Sequence, residues 1–191
     1  MAGPEADRVI VATDDARIAD AARAFGAEVA MTPESCRNGT ERCAAVAEIL
    51  GPQHDLIVNL QGDAPLTPPW FVSALIAAME AEPETPVATP VLRCDADALA
   101  GFLEDRRAGR VGGTTAVFDA GWRALYFSKE VLPFTGGPVA AGQQIPVFHH
   151  VGVYAYRRAA LAAYAELAPG PLETWEGLEQ LRFMEHGIPV R

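Results

Sequence analysis

The residues best suited to chemistry are an amide and a carboxylate, Gln61 and Asp63, which are separated by one glycine. They come directly after the apolar run 55–60, whose length and bounds predict a buried parallel strand. In open α/β sheets ligands bind beyond the carboxyl ends of the strands, so Asp63 is placed to hold a hard cation and a phosphate. The alternative, which an isolated Gly-Asp pair favours, is an Asx-turn whose carboxylate binds its own backbone.

A second polar group, Asn38-Gly39-Thr40, comes just before a predicted helix. The first N–H groups of a helix have no partner within it, so they can receive an anionic or carbonyl ligand. An ordinary helix cap beside a solvated Glu41–Arg42 pair is the alternative, and the local sequence favours it. The helix is expected to bury Cys43, Val46, Ala47 and Leu50.

Residues 148–156 alternate with a period of two, which predicts one strand. His150, Tyr154 and Tyr156 would then share one face with Gly152. Such a face could line a pocket for a hydroxylated ligand, or it could be a polar face turned to solvent.

Residues 171–182 predict a single helix. Glu173, Glu176 and Gln180 would align on one side of it, at spacings of three and four residues. The alternative, which this alignment by itself favours, is a solvated helix face.

Composition limits the possible functions. The chain has 191 residues and a net charge of −10, so we predict one globular domain without a nucleic-acid surface. Its three cysteines form no CxxC pair, which suits a reducing compartment. No apolar run approaches the roughly 18 residues of a membrane span. These features predict a soluble cytoplasmic protein that does not bind membranes.

Other elements are predicted from periodicity and from Gly and Pro positions. A strand, helix and strand at the start imply a right-handed crossover in a parallel sheet. The predicted strands are 8–13, 28–31, 87–92, 114–118 and 124–128, the further helices are 15–25, 68–79, 95–102 and 157–167, and the loops are 104–113 and 133–146. In the first helix, Ile18, Ala22 and Phe25 share the face expected to be buried.

Six ordered blocks resemble one known family, the 3-deoxy-manno-octulosonate cytidylyltransferases, or CMP-Kdo synthetases. The likeness runs from about Arg8 to the last residue. The blocks are Val9-Ile10-Val11-Ala12-Thr13-Asp14, Asn38-Gly39-Thr40-Glu41-Arg42, Val58-Asn59-Leu60-Gln61-Gly62-Asp63-Ala64-Pro65, Ala124-Leu125-Tyr126-Phe127-Ser128, His150-Val151-Gly152-Val153-Tyr154-Ala155-Tyr156-Arg157 and Pro171-Leu172-Glu173 with Leu178-Glu179-Gln180-Leu181-Arg182.

The resemblance implies a three-layer, mostly parallel twisted sheet of the nucleotide-diphospho-sugar transferase type, with a small β insertion around 114–157. It also implies a homodimer and a Mg²⁺-dependent reaction. In that reaction CTP and the acid sugar Kdo give CMP-Kdo and pyrophosphate for lipopolysaccharide synthesis.

The resemblance also implies roles for individual residues. Asp63 would ligate Mg²⁺, and Asp63 and Arg42 would be catalytic. The nucleotide would contact Asn38, Gly39, Thr40 and Gln61. The sugar would contact Gln61, His150, Tyr154, Glu176 and Gln180.

The sequence departs from the family pattern in several places. The family's opening glycine- and basic-rich phosphate loop and its later metal-binding Asp are absent, so the domain 1–191 is expected to be incomplete at both ends. Ala64 replaces an acidic residue, and a Lys expected near Thr115 is replaced. Because basic groups on the phosphates are a main catalytic contribution, we expect little or no transferase activity from this chain alone.

Two other functions remain open. One is a cytidylyltransferase for another acidic sugar, such as an N-acylneuraminate. The other is a non-catalytic sugar-binding or assembly relative, which the absent phosphate loop favours and the retained Gln61, Asp63, His150 and Gln180 oppose.

Overall fold

The computed structural model describes residues 6–136, 139 and 143–191, which form two compact units. Unit 1 contains the described residues up to Ala88 together with Val153–Ala168, and unit 2 contains Thr89–Gly152 and Pro169–Arg191. Part of the predicted loop 133–146, namely 137–138 and 140–142, lies outside the described residues. The expectation of a single domain over 1–191 stays a prediction.

Helices and strands alternate in the first half of the chain, which agrees with the predicted α/β class. The strands are β1 (Ile10–Thr13), β2 (Glu28–Met31), β3 (Leu56–Leu60), β4 (Val87–Ala88), β5 (Val91–Arg93), β6 (Thr115–Phe118), β7 (Ala124–Ser128), β8 (Phe148–His150) and β9 (Val153–Arg157). The helices are α1 (Ala16–Ala24), α2 (Gly39–Leu50), α3 (Trp70–Ala81), α4 (Ala96–Arg107), α5 (Arg158–Glu166), α6 (Pro171–Glu176) and α7 (Leu181–Glu185). No helix in the described part of the chain is long and apolar enough to cross a membrane.

Unit 1 contains a parallel pair, β1–β2, and a three-stranded sheet in the order β3-β9-β4. β9 is antiparallel to both of its neighbours, with Asn59 of β3 opposite Tyr154 of β9. Residues 55–60 do form a strand, but the prediction that this strand is parallel to its neighbour is wrong. Among the described strands, β1 and β2 form the one parallel pair. An apolar run does not encode the direction of its partner, and this partner lies about a hundred residues further along the chain.

Unit 2 contains an antiparallel four-stranded sheet in the order β5-β8-β6-β7. The predicted β insertion thus exists, but it begins with β5 and excludes β9. The predicted strand 148–156 is two strands, because the chain leaves the ladder at Val151-Gly152. His150 and Tyr154 consequently belong to different sheets, and the single face predicted for them is wrong. The predicted strand 87–92 is interrupted in the same way, at Thr89-Pro90.

The predicted helix 171–182 is also two helices. α6 ends at Gly177, which has the left-handed φ of 61° typical of a helix terminus, and α7 begins after a turn. Glu173, Glu176 and Gln180 therefore do not form one helix face. Conversely, α4 continues to Arg107, so the first part of the predicted loop 104–113 is helical.

The buried face of α1 differs from the prediction. α1 buries Ala19 and Ala22, while Ile18 and Phe25 are 52% and 74% exposed. Hydrophobic periodicity predicted that the large residues would be buried. The alanines are buried instead, because their small side chains let the helix pack closely against the sheet. In α2 the buried residues are Thr40, Ala44, Val46 and Ala47, so Cys43 and Leu50 are only partly buried.

Candidate functional site

The start of α2 is held in place by two buried phenols of unit 1. Asn38 caps the helix by accepting a hydrogen bond from the Glu41 N–H at 2.8 Å, and its Nδ2 donates to the Tyr164 hydroxyl at 3.1 Å. The hydroxyls of Thr40 and Tyr156 lie 2.8 Å apart. A preorganised turn of this kind presents the first N–H groups of the helix at a fixed position. The predicted nucleotide-binding residues 38–40 thus lie in one turn that side-chain hydrogen bonds hold.

Gly39 lies against two amide side chains at the end of β3. A Cβ on Gly39 would come within 2.9 Å of Asn59 Nδ2 and 3.1 Å of Gln61 Nε2. Gln61 is therefore brought together with the start of α2, as the nucleotide prediction requires. Only glycine leaves space between these amides and the helix backbone.

Asp63 lies two residues beyond Gln61 in an exposed turn of unit 1. Among the described residues its carboxylate has neither a hydrogen-bond partner nor an ion-pair partner. The Asx-turn alternative is therefore not what the structure shows. Asp63 remains available to a ligand.

Arg42 pairs with Asp14 and not with the neighbouring Glu41. Its guanidinium pairs with Asp14 at 3.0 Å and also contacts the Thr32 hydroxyl. This hydrogen bond to Arg42 lowers the pKa of the Asp14 carboxyl below its ordinary value. The expected Glu41–Arg42 pair does not form, because Glu41 pairs with Arg37 at 2.6 Å. Arg42 ties α2 to the end of β1, and its catalytic role stays a prediction.

Tyr154 and Tyr156 of β9 are buried and stacked, with ring centroids 5.8 Å apart. Both belong to unit 1, so Tyr154 is placed in the same unit as Gln61. The hydroxyl of Tyr156 contacts Thr40, so Tyr156 helps to position α2.

His150 is buried in unit 2. Its Nε2 lies 2.8 Å from the Thr89 hydroxyl, which donates in turn to the Val151 carbonyl at 3.2 Å. Burial, together with the charge of His149, lowers the pKa of His150 to about 3. The imidazole is therefore neutral at physiological pH.

This low pKa predicts a pH dependence of stability. Below the ordinary His pKa of about 6.5, the unfolded chain binds a proton at His150 that the folded chain does not. The free energy of unfolding should therefore fall as pH drops from about 6.5 towards 3, by up to about 1.4 kcal/mol per pH unit from this group. Urea unfolding of wild type and His150→Gln between pH 5 and 7 measures the effect. Equal slopes for the two proteins would contradict it.

Glu176 joins the end of α6 to the end of β7 in unit 2. Its carboxylate accepts hydrogen bonds from the Ser128 hydroxyl at 2.6 Å and the Lys129 N–H at 2.9 Å. Burial, reinforced by the Glu176 charge, raises the pKa of Tyr126. Gln180 is only 1% exposed. The sugar-binding roles of Glu176, Gln180 and His150 stay predictions.

Sequence reasoning missed two participants in unit 1, Asn59 and Tyr164. The sequence does indicate Asn59, because burying an amide within an apolar strand costs free energy unless the amide forms a hydrogen bond. Nothing local indicated Tyr164, which lies more than a hundred residues from the cap that it supports.

Comparison with known proteins identifies the family. The sequence model of the cytidylyltransferase family matches residues 2–190. The chain belongs to the cytidylyltransferases. Among the relatives of this family, 3-deoxy-manno-octulosonate cytidylyltransferase of Maricaulis maris (strain MCS10) is 44% identical over 98% of this chain and 71% of that protein. The Chlamydia pneumoniae protein of the same name is 40% identical over 95% of this chain and 66% of that protein.

A solved cytidylyltransferase structure has the same fold. It is CMP:2-keto-3-deoxy-manno-octonic acid synthetase complexed with CTP, with a TM-score of 0.80 and 35% sequence identity. The alignment covers 96% of this chain and 70% of that one. This agreement confirms the nucleotide-diphospho-sugar transferase type of fold. The chain thus spans about two thirds of the length of the relatives that it matches.

Proposed function

We propose that this chain provides a site for cytidylyl transfer from CTP to Kdo, the substrate pair predicted from the sequence. The anomeric hydroxyl oxygen of the sugar would bond to the α-phosphorus and lose its proton. The bond from that phosphorus to the bridging oxygen would break, and pyrophosphate would leave. The observation that supports the proposal best is the start of α2, where Gly39 lies against the amides of Asn59 and Gln61.

The first turn of α2 provides the proposed nucleotide site. A helix N-terminus offers N–H donors to carbonyl or phosphate oxygens, and here two tyrosines fix its position. Fixed donors lose little entropy when a ligand binds, which favours both affinity and selectivity. The CTP in the solved relative supports the assignment of this family to cytidine nucleotides.

Mg²⁺ is the proposed cofactor, and Asp63 is the residue that would hold it. The described residues contain no group of three or more His, Cys, Asp or Glu that could form a metal cage. A single exposed carboxylate without a protein partner fits an ion that takes its other ligands from phosphates and water, as Mg²⁺ commonly does. When bound, the ion would neutralise charge on the transferring phosphate.

The remaining parts of the proposal concern the sugar and the cellular setting. His150, Tyr154, Glu176, Gln180 and Gln61 are proposed to contact Kdo, with His150 acting as a neutral group because of its low pKa. We also propose a homodimer, a cytoplasmic location and a role in lipopolysaccharide synthesis, as the family resemblance implies.

Calorimetric titration with CTP in the presence of Mg²⁺, and then with Kdo, tests the proposal. We expect CTP binding in the micromolar range, and Asp63→Ala should weaken it at least tenfold because the carboxylate for the ion is lost. Asp97→Ala, which removes an exposed carboxylate in the first turn of α4, is the matched control and should change nothing.

Other results would decide against it. Binding of Kdo without CTP would favour the non-catalytic alternative, and preference for an N-acylneuraminate over Kdo would favour the other acidic sugar. Pyrophosphate release in the same solution tests the separate expectation that this chain has little turnover.

A further inference from the structure

The amide of Asn59 is the buried group that the proposed reaction does not yet use. Asn59 lies in β3, is 7% exposed, and its Nδ2 has no hydrogen-bond partner among the described residues. Leaving a buried donor without a hydrogen-bond partner destabilises a protein. A bound ligand could supply the acceptor that this donor lacks.

The position of this donor indicates which kind of ligand could accept its hydrogen bond. Asn59 Nδ2 lies beside Gly39, the first residue of α2, only 2.9 Å from where a Cβ on that glycine would stand. A helix begins with N–H groups that have no partner within the helix. Two kinds of donor, one amide and one backbone, therefore meet at one place. A ligand edge with two adjacent acceptors would satisfy both.

The charges nearby favour a neutral ligand edge over a carboxylate. Carboxylates are usually bound by Arg in bidentate geometry. Here Arg42 is paired with Asp14, and Arg37 is paired with Glu41. Asn59 itself is an uncharged amide.

We propose that Asn59 is a specificity-determining residue whose Nδ2 donates a hydrogen bond to the ring N3 of cytosine, beside the Gly39 N–H, which binds the O2 carbonyl. The inference rests on the proposed nucleotide function. Cytosine presents O2 and N3 as adjacent acceptors, whereas uracil has a donor, N3–H, in place of the second. A fixed donor at this position accepts cytosine and opposes uracil, because two donors would face each other.

The test combines a change in the ligand with a change in the protein. Wild type is titrated with CTP, UTP and 3-deaza-CTP, in which a C–H replaces the N3 acceptor, and Asn59→Leu and Asn59→Asp are titrated with the same three nucleotides. For wild type we expect 3-deaza-CTP and UTP to bind at least tenfold more weakly than CTP. In Asn59→Leu the difference between CTP and 3-deaza-CTP should shrink to less than threefold, because the donor is gone.

Asn59→Asp gives an independent measurement. Its carboxylate accepts a hydrogen bond from uracil N3–H and repels the N3 lone pair of cytosine, so the ratio of UTP to CTP dissociation constants should fall at least tenfold. Using a ratio cancels the repulsion between the new charge and the triphosphate. Gln144→Glu, an exposed amide-to-acid change, is the control and should leave the ratio unchanged.

The outcomes separate this inference from the proposed function. Equal binding of CTP and 3-deaza-CTP by wild type would refute the role of Asn59 while leaving CTP binding intact, and it needs no variant to fold. An unchanged ratio in a folded Asn59→Asp protein would refute it too. Failure of wild type to bind CTP at all would refute the proposed function, and this inference with it.

Discussion

Gly39→Ala should weaken CTP binding at least tenfold without unfolding the protein. The added Cβ would stand 2.9 Å from Asn59 Nδ2 and 3.1 Å from Gln61 Nε2, so both amides must move away from the start of α2. Alanine at a helix position compatible with it reduces the entropy of the unfolded chain, which offsets part of the crowding. We expect the free energy of unfolding to stay within about 1 kcal/mol of wild type. Calorimetry and urea unfolding measure the two effects.

Gly101→Ala is the matched control for this prediction. Gly101 is an exposed glycine in α4, and a Cβ there meets nothing within 4 Å. The control should gain up to about 1 kcal/mol of stability and bind CTP as wild type does. Unchanged CTP affinity in Gly39→Ala would show that the space beside α2 is not used by the nucleotide.

Arg182→Met should destabilise the protein by about 3–5 kcal/mol. The Arg182 side chain is 2% exposed and forms a bidentate pair with Glu173, with distances of 2.7 and 2.6 Å. Losing the guanidinium leaves the Glu173 carboxylate buried at 11% exposure without its counter-charge. That loss costs more than the pair itself contributes, because the remaining charge still lacks its hydration. Urea unfolding at pH 7 measures the change.

The double variant Arg182→Met/Glu173→Leu provides the internal comparison. It removes both charges, so it should recover most of the lost stability. Arg23→Met is the surface control, since the Arg23–Asp20 pair is 53% and 78% exposed and should contribute less than about 1 kcal/mol. A loss below 1 kcal/mol in Arg182→Met would mean that the buried carboxylate finds another partner.

Sequence reasoning located most elements because their signals are local. The strand that ends before Gln61, the Asn38 cap and the paired strands β6–β7 all follow from residues within a few positions of each other. The errors share a physical cause. A period-two pattern across 148–156 shows where side chains alternate, but it cannot show that the chain leaves one sheet and enters another at Gly152.

The candidate site was only partly predictable for the same reason. The resemblance indicated residues 38–40, Gln61 and Asp63, and the structure places Gln61 beside Gly39. Tyr156 and Tyr164, which hold the start of α2, lie more than a hundred residues further along the chain. No local spacing in the sequence could predict them. Asn59 was visible in the sequence, but its missing hydrogen bond became evident only in three dimensions.

The position of β9 between β3 and β4 has a consequence for synthesis on the ribosome. The middle strand of this sheet is the last of its three to be made, because Val153–Arg157 follows β3 by more than ninety residues. At about 5–20 residues per second, β3 waits roughly 5–20 s for its partner. During that interval β3 and β4 expose strand edges that could pair with other nascent chains. The yield of folded protein therefore depends on how well these two edges are shielded until β9 is made.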